Sequence, residues 1–509
     1  MTDTTTSPSP GSVANHDRPS TPLFYGGREH QSEAKLTVVN PAKPSEVVGQ
    51  AAAASREQAL AAVAAAQEAF PAWAALSGTE RGEALTAAAA AIMEGSEQEA
   101  AILSSENGKV VGESTFDLMG LVQRFELAIG LAEEVDAVET LPGPPTEVRI
   151  SHQPMGVVTI IVPFNWPIAI LGASLPYALM AGNTVVVKPP PSCPLATTRA
   201  VQRVAERLPA GVLNVVTGED AEIGEALVSN QDVAKVCFTG SVGGGKKIMS
   251  MAAQTLTNVT LELGGNDGVL ILEDAEFTEQ NMDLLFMGVF GTTGQVCMNA
   301  KRIYVHSSKR DELVAELTRR LEPVTLGPAT DPSTTMGPFH QKAQLEFVQA
   351  LVQEAKDSGA DVREFGELPG GEWTEGHFMR PSLVLDPDPA LRVVTEEQFG
   401  PTIPILTFEG LEDGIRMVND TQYGLCNSVW TSDEQTAIEV GSRLQAGYVF
   451  HNTHGPALLD QRAPFGGIKQ SGIGREMGTI GLRNFQEPHA LGLLKAGPTS
   501  GEADSTPVS

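Results

Sequence analysis

Between residues 157 and 263 the chain alternates five short β-branched runs with four longer stretches of helical pattern, and this alternation narrows the possible folds sharply. VVTIIV (157–162), TVVVK (184–188), VLNVV (212–216), VAKVCF (233–238) and NVTLEL (258–263) read as buried strands. The intervening stretches 168–181, 197–208, 221–230 and 243–255 are each long enough for a crossover helix. Right-handed strand–helix–strand units of this kind predict an α/β fold with a parallel, doubly wound sheet. Such a sheet takes its ligand in the crevice at the carboxyl ends of its strands, so Pro163 to Pro167, Lys188 and Gly240 to Gly245 are expected along one edge.

Upstream, Ser55-Arg-Glu-Gln58 and Ser96-Glu-Gln-Glu99 fit capping boxes and mark a helical lead-in over 55–135. A second α/β region is expected over 267–470, with helices near 312–322, 340–356 and 432–445 and strands near 382–386 and 446–452. Residues 1–22 and 496–509 read as solvated, disordered tails, and the first lacks the apolar core of a signal peptide. Ile150 to Val187 holds no Lys, Arg, Asp or Glu, but Pro163, Pro167, Pro176, Asn165 and Asn183 interrupt it. It reads as strand, loop, helix and strand within a protein core, not as a membrane span.

With 63 acidic against 34 basic residues the formal charge is −29, which argues against nucleic acid or anionic lipid as a partner. Cys193, Cys237, Cys297 and Cys426 form no CxxC pair, so a reducing cytoplasm is the simplest setting. The nine histidines show no HExxH and no clustered spacing, so no metal is expected, and the pair His451 and His454 reads as solvated loop.

Four places could carry chemistry. Cys297, in GTTGQVCMNA, follows a turn of small residues, and its thiol is either a nucleophile or a small buried hydrophobe. Glu262, in LELGGN, points to the opposite strand face from Leu261 and Leu263; it is either a desolvated general base or a cap for the Gly264-Gly265 turn. Asn165, in PFNWP, is an amide between two prolines, able to serve an oxyanion or simply to bond its own loop. Gly240 to Lys247 follows a strand and opens a helix, as a phosphate-binding loop does. It nearly matches a P-loop, but Lys247 stands where a magnesium-binding hydroxyl is required.

In this order PFNWP (163–167), FTGS (238–241), LELGGN (261–266), GQVC (294–297), EEQFGP (396–401) and PFGGIKQSGIGRE (464–476) resemble the NAD(P)-dependent aldehyde dehydrogenase superfamily. The resemblance runs from about 37 to 495. It implies a Rossmann-type cofactor domain (23–135 and 155–266), a catalytic domain (267–470) and small oligomerisation strands (136–154 and 482–495) that join a homodimer or homotetramer. It further implies that an aldehyde is oxidised to a carboxylic acid through a thiohemiacetal and thioester on Cys297, with Asn165 and the Cys297 N–H as oxyanion hole and Glu262 as the base for hydrolysis. Val162, Phe164, Lys188, Gly240, Ser241, Glu397 and Phe399 match positions around the coenzyme, NAD or NADP, with NAD favoured. Trp166, Ile170, Met298 and Phe465 match the substrate tunnel, whose apolar character points to a hydrophobic or aromatic aldehyde; His454 and Arg462 are placed to greet a polar tail instead.

Two positions depart from the family pattern. Lys188-Pro189-Pro190-Pro191 has proline where the family usually has a glutamate on the adenosine ribose, and Ser174 replaces a common lysine. Two other functions are weighed against this one: a P-loop-like nucleotide hydrolase, and a non-catalytic structural protein on the same scaffold, which need not keep Cys297, Glu262 and Asn165 together.

Overall fold

Val157–Ile161, Thr184–Lys188, Leu213–Val215, Val233–Thr239 and Asn258–Glu262 lie side by side and parallel, in the spatial order fifth, fourth, first, second, third. The computed structural model describes residues 19–143 and 145–495. Helices Pro167–Met180, Leu195–Ala205, Asp220–Val228 and Val242–Ala252 make the crossovers. Strand alternation sends Val158 and Ile160 to the face packed by Ile168, Leu171 and Val201, and Val157 and Ile161 to the face packed by Ile223, Leu227 and Ile248. Both faces are therefore covered, which is why these strands are mostly apolar, with Thr159, Asn214 and Lys235 buried among them. The strand order reverses between the first and fourth strands, so the loops after Ile161 and Thr239 flank the switch point.

The sheet is not wholly parallel. Leu23–Tyr25 and Arg28–His30 extend one edge and Gly472–Ile473 the other, all antiparallel, giving eight strands in total. These edge pieces are two or three residues long, too short to show any period. Residues 20 and 21, counted with a tail from sequence, are structured. Ser20–Thr21 is a strand paired with Gln50 and Ala51, and Thr21 is buried; residues 1–18 and 496–509 fall outside the described residues.

The helical lead-in consists of Arg56–Ala74, Gly78–Ala90, Ser96–Asn107, Val111–Ile129 and Ala132–Val135. Ser55 and Gln58 form the reciprocal capping box as read from the sequence. The second box is absent: Ser96 is already the first helical residue behind Gly95, at φ +71°. Glu99, the would-be partner, is buried and receives Arg199 and Arg203 instead, a tertiary pairing that outweighs the local motif. A box not foreseen joins Ser77 and Glu80.

The second α/β region is a seven-stranded sheet ordered Asp361–Glu364, Ser382–Leu385, Thr402–Phe408, Ala300–His306, Asp267–Ile271, Cys426–Trp430, Tyr448–His451, parallel except for its first pair. The helices foreseen there are Arg310–Leu321, Lys342–Asp357 and Glu434–Gly441. A third, antiparallel sheet joins Glu139–Leu141, Thr146–Pro154 and Gln486–Leu494. Residues 482 and 483, counted with this segment from sequence, instead end the helix Gly478–Arg483. Among the described residues no helix is long and apolar enough to cross a membrane; the charge-free stretch from Ile150 is spent on strand, helix and strand.

Candidate active site

Cys297 sits between helix Glu279–Phe290 and strand Ala300–His306, in a loop whose backbone is left-handed at Thr292 (φ +53°), Thr293 (φ +57°) and Gly294 (φ +72°). Two non-glycine residues in that region persist only when their surroundings over-determine them. Thr292 N–H donates to Glu113 at 2.6 Å, Trp166 Nε1 donates to the Thr292 hydroxyl at 3.0 Å, and the Thr293 hydroxyl donates to the Gly337 carbonyl at 2.9 Å. Gly294 faces the Gly400 carbonyl so closely that a Cβ there would lie 2.2 Å from its oxygen.

The amide of Asn165 spans the crevice to this loop: its Nδ2 donates to the Gln295 carbonyl at 2.8 Å, and its Oδ1 is buried without a partner. One N–H of that amide is thus spent on placing the Cys297 loop, leaving its second N–H for a ligand. Beneath, Lys109 and Asp117 form a fully buried ion pair of 2.5 Å; Lys109 also donates to the Asn165 carbonyl at 2.6 Å and lies 4.4 Å from the Trp166 ring centre. Asp117 in turn receives the Ala169 N–H at the start of the following helix. On the other side Lys301 donates to the carbonyls of Val296 (2.5 Å), Asn299 (3.1 Å) and Cys297 (3.5 Å). Lys109 carries no sequence signal because it acts across the tertiary fold, whereas Lys301 bonds carbonyls two to five residues before it in its own loop.

Cys297 is half-buried, unlike Cys193, Cys237 and Cys426, which are buried. Desolvation pushes its thiol up to about 12; Lys301 pulls the other way, and the nearby carboxylates of Glu397, Asp267 and Glu262 add to the rise. Glu262 ends strand Asn258–Glu262 with both carboxylate oxygens buried and unpartnered. Burial, reinforced by Glu476 and opposed by Arg475, holds its carboxyl well above the usual range. It does not cap the glycine turn that follows it: the Gly265 N–H donates to Glu397 at 3.1 Å. Gly466 lies against Glu262, where a Cβ would stand 2.6 Å from Oε1, so this turn needs glycine.

Along the carboxyl edge of the first sheet, Val162 is buried and Phe164 stacks on the His340 ring at 4.4 Å and meets Phe399 edge-on at 6.2 Å. Lys188 ends its strand buried and paired with Asp220. Ser241 caps helix Val242–Ala252, its hydroxyl accepting the Gly244 N–H at 3.0 Å, and the Gly240 N–H donates to the Glu262 carbonyl at 3.0 Å. Gly240 and Gly244 lie over the Phe238 ring, which a Cβ on either would meet within 2.8 Å. Close packing therefore accounts for those two glycines without any ligand. Burial pushes the half-buried Glu397 up to about 7. Trp166, Ile170, Met298 and Phe465 belong, with Cys297, to one apolar cluster. His454 is not solvated and faces no tail: it is buried, bonded to Ser428 at 3.0 Å. Arg462 is exposed and turned to Asp460 at 2.6 Å.

A model of the aldehyde dehydrogenase family matches residues 28–491. The chain belongs to the aldehyde dehydrogenase family. It is 35% identical over 473 residues to betaine aldehyde dehydrogenase of Bacillus subtilis, covering 91% of this chain and 96% of that protein. A crystal structure of betaine aldehyde dehydrogenase from Staphylococcus aureus in complex with NAD+ superposes with a TM-score of 0.88 at 32% identity, covering 96% of this chain and 97% of that one. An NADP-dependent enzyme of E. coli gives 0.89 at 29% identity, covering 95% and 100%. At positions 174 and 191 of this aldehyde dehydrogenase, singled out from the sequence, the structure is specific. The Ser174 hydroxyl donates to the buried Glu476, and Pro191 leaves the loop after Lys188 without a carboxylate.

Proposed function

We propose that this aldehyde dehydrogenase oxidises an aldehyde to the carboxylic acid with NAD(P)+, using Cys297, Asn165 and Glu262. The observation that carries the reading is the Asn165–Gln295 bond of 2.8 Å, which couples the amide to the cysteine loop while Glu262 presents an unpartnered carboxylate to the same crevice. A hydroxyl-capped helix N-terminus at Ser241, the Lys188–Asp220 pair and the half-buried Glu397 along one edge suit the pyrophosphate and two riboses of a pyridine dinucleotide. When bound, that coenzyme accepts the hydride.

Cys297 Sγ, as thiolate, bonds to the aldehyde carbon, and the oxygen that gains charge is received by Asn165 Nδ2 and the Cys297 N–H. Loss of hydride from that carbon leaves a thioester on Cys297. Glu262 then removes a proton from water, whose oxygen attacks the thioester carbon; the acid leaves and the sulfur regains its proton. A base for this step needs a pKa near working pH, and the desolvated, unpartnered setting of Glu262 raises it in that direction.

The apolar lining around Trp166, Ile170, Met298 and Phe465 suits a hydrophobic or aromatic aldehyde. The sheet of Glu139–Leu141, Thr146–Pro154 and Gln486–Leu494 leaves Leu141, Leu491 and Leu494 exposed at 46%, 49% and 81%, which fits an interface with a second copy. The test is pre-steady-state. Cys297→Ala is expected to form no NAD(P)H, and Glu262→Gln to release one equivalent in a burst and then turn over at least about 100-fold more slowly. Undiminished turnover by Cys297→Ala would sink the mechanism. A panel of aliphatic, aromatic and betaine aldehydes compared by kcat/KM fixes the substrate class.

A further inference from the structure

Lys188 closes the second strand of the first sheet, its side chain 2% exposed, and its ammonium forms an ion pair with Asp220, whose side chain is 80% exposed. Asp220 opens helix Asp220–Val228, which follows the neighbouring parallel strand Leu213–Val215. A negative group from the next crossover unit thus stands over the carboxyl ends of two adjacent strands. The loop that leaves Lys188 brings three prolines and no carboxylate to this edge.

The two pyridine dinucleotides differ only at the adenosine ribose, where one carries a 2′-hydroxyl and the other a 2′-phosphate. A carboxylate accepts a hydrogen bond from the hydroxyl and repels the phosphate, whereas an unpaired lysine attracts the phosphate. With proline at 191, Lys188 by itself would make this edge hospitable to the phosphate. Its pairing with Asp220 cancels that attraction and supplies the acceptor the loop lacks. We propose that Asp220 determines coenzyme choice in this protein, selecting NAD over NADP from a different structural element than the loop after Lys188. This rests on the placement of the adenosine ribose at Lys188 in the proposed function.

The test separates binding from turnover. NADH and NADPH are titrated into the purified enzyme without aldehyde, following tryptophan fluorescence, and kcat/KM is measured for NAD+ and NADP+ with one aldehyde. The wild type is expected to hold NADH at least about tenfold more tightly than NADPH, a ratio that shrinks as salt is raised. Asp220→Asn narrows the ratio about tenfold, chiefly through tighter NADPH, while Asp220→Glu keeps it. Adding Pro191→Glu to Asp220→Asn restores discrimination from the other element. A wild type that favours NADPH, or an Asp220→Asn ratio within twofold of wild type, overturns the assignment of Asp220. A wild type that binds neither dinucleotide overturns the proposed function itself and this inference with it.

Discussion

The loop around Cys297 and the strand end at Glu262 face one crevice, yet burial is put to opposite uses in them. In the loop, Thr292, Thr293 and Gln295 each hand a polar group to a neighbour, and Lys301 gathers three carbonyls. That bonding holds two threonines in a left-handed conformation they would leave if released. Glu262 is 5% exposed, and neither carboxylate oxygen has a partner. Satisfied burial fixes a position; unsatisfied burial raises proton affinity, at the expense of stability. In the proposed mechanism the nucleophile, which must meet one carbon, needs the first, and the base, which must take a proton from water, needs the second.

The comparison can be broken most forcefully at the amide joining the two regions. Asn165→Ala is expected to lower kcat/KM by about 10²–10³-fold, the usual loss for one oxyanion donor. If Asn165 served only to bind the loop, alkylation of Cys297 by iodoacetamide would fall equally; the expectation is a change of only a few-fold. In coenzyme-free enzyme the alkylation rate is expected to rise about tenfold per pH unit from pH 7 to 9.5 without levelling, since the thiol is pushed up to about 12. A plateau below pH 8 would show a thiolate already stabilised in the free enzyme. Lys301→Met leaves buried carbonyls without their donor and is expected to destabilise the protein by about 2 kcal/mol, read from denaturant unfolding, together with a loss of kcat.

The smallest effect has the opposite sign. The folded protein holds the Glu262 proton more tightly than the unfolded chain does, so stability declines as pH climbs above the ordinary carboxylate range. Glu262→Gln removes that penalty. It is expected to raise Tm by about 2 °C at pH 8, with the gain shrinking toward pH 5, even as hydrolysis of the thioester slows. A fall in Tm at pH 8 would mean that the carboxylate has a partner in solution.

Much of this was legible beforehand, for reasons that differ by element. The five strands from Val157 to Glu262 advertise themselves because a strand covered on both faces is mostly apolar, with few polar positions such as Asn214 and Lys235 to interrupt it. Ser55 caps its helix through residues three positions apart, an interaction the local chain completes unaided. Ser96 has the same spacing and fails, because Glu99 finds two arginines a hundred residues away. Thr292 and Thr293 gave no hint of a left-handed turn, since glycine is the usual signal for it. His454, read as loop, proves buried, because its partner Ser428 comes from another strand.

The order of apolar and polar residues alone determined the alternating strands and helices, and hence which loops gather at the carboxyl edge of the first sheet. The motifs carried there named Cys297, Glu262 and Asn165 as residue types able to bond, ionise and donate. Whether Glu262 would lose every partner, whether Lys109 would brace the Asn165 loop, and whether Asp220 would answer Lys188 were decided only by tertiary structure. Desolvation and ion pairing depend on what the folded chain brings within a few ångströms, and that proximity is set by the packing of elements far apart in sequence.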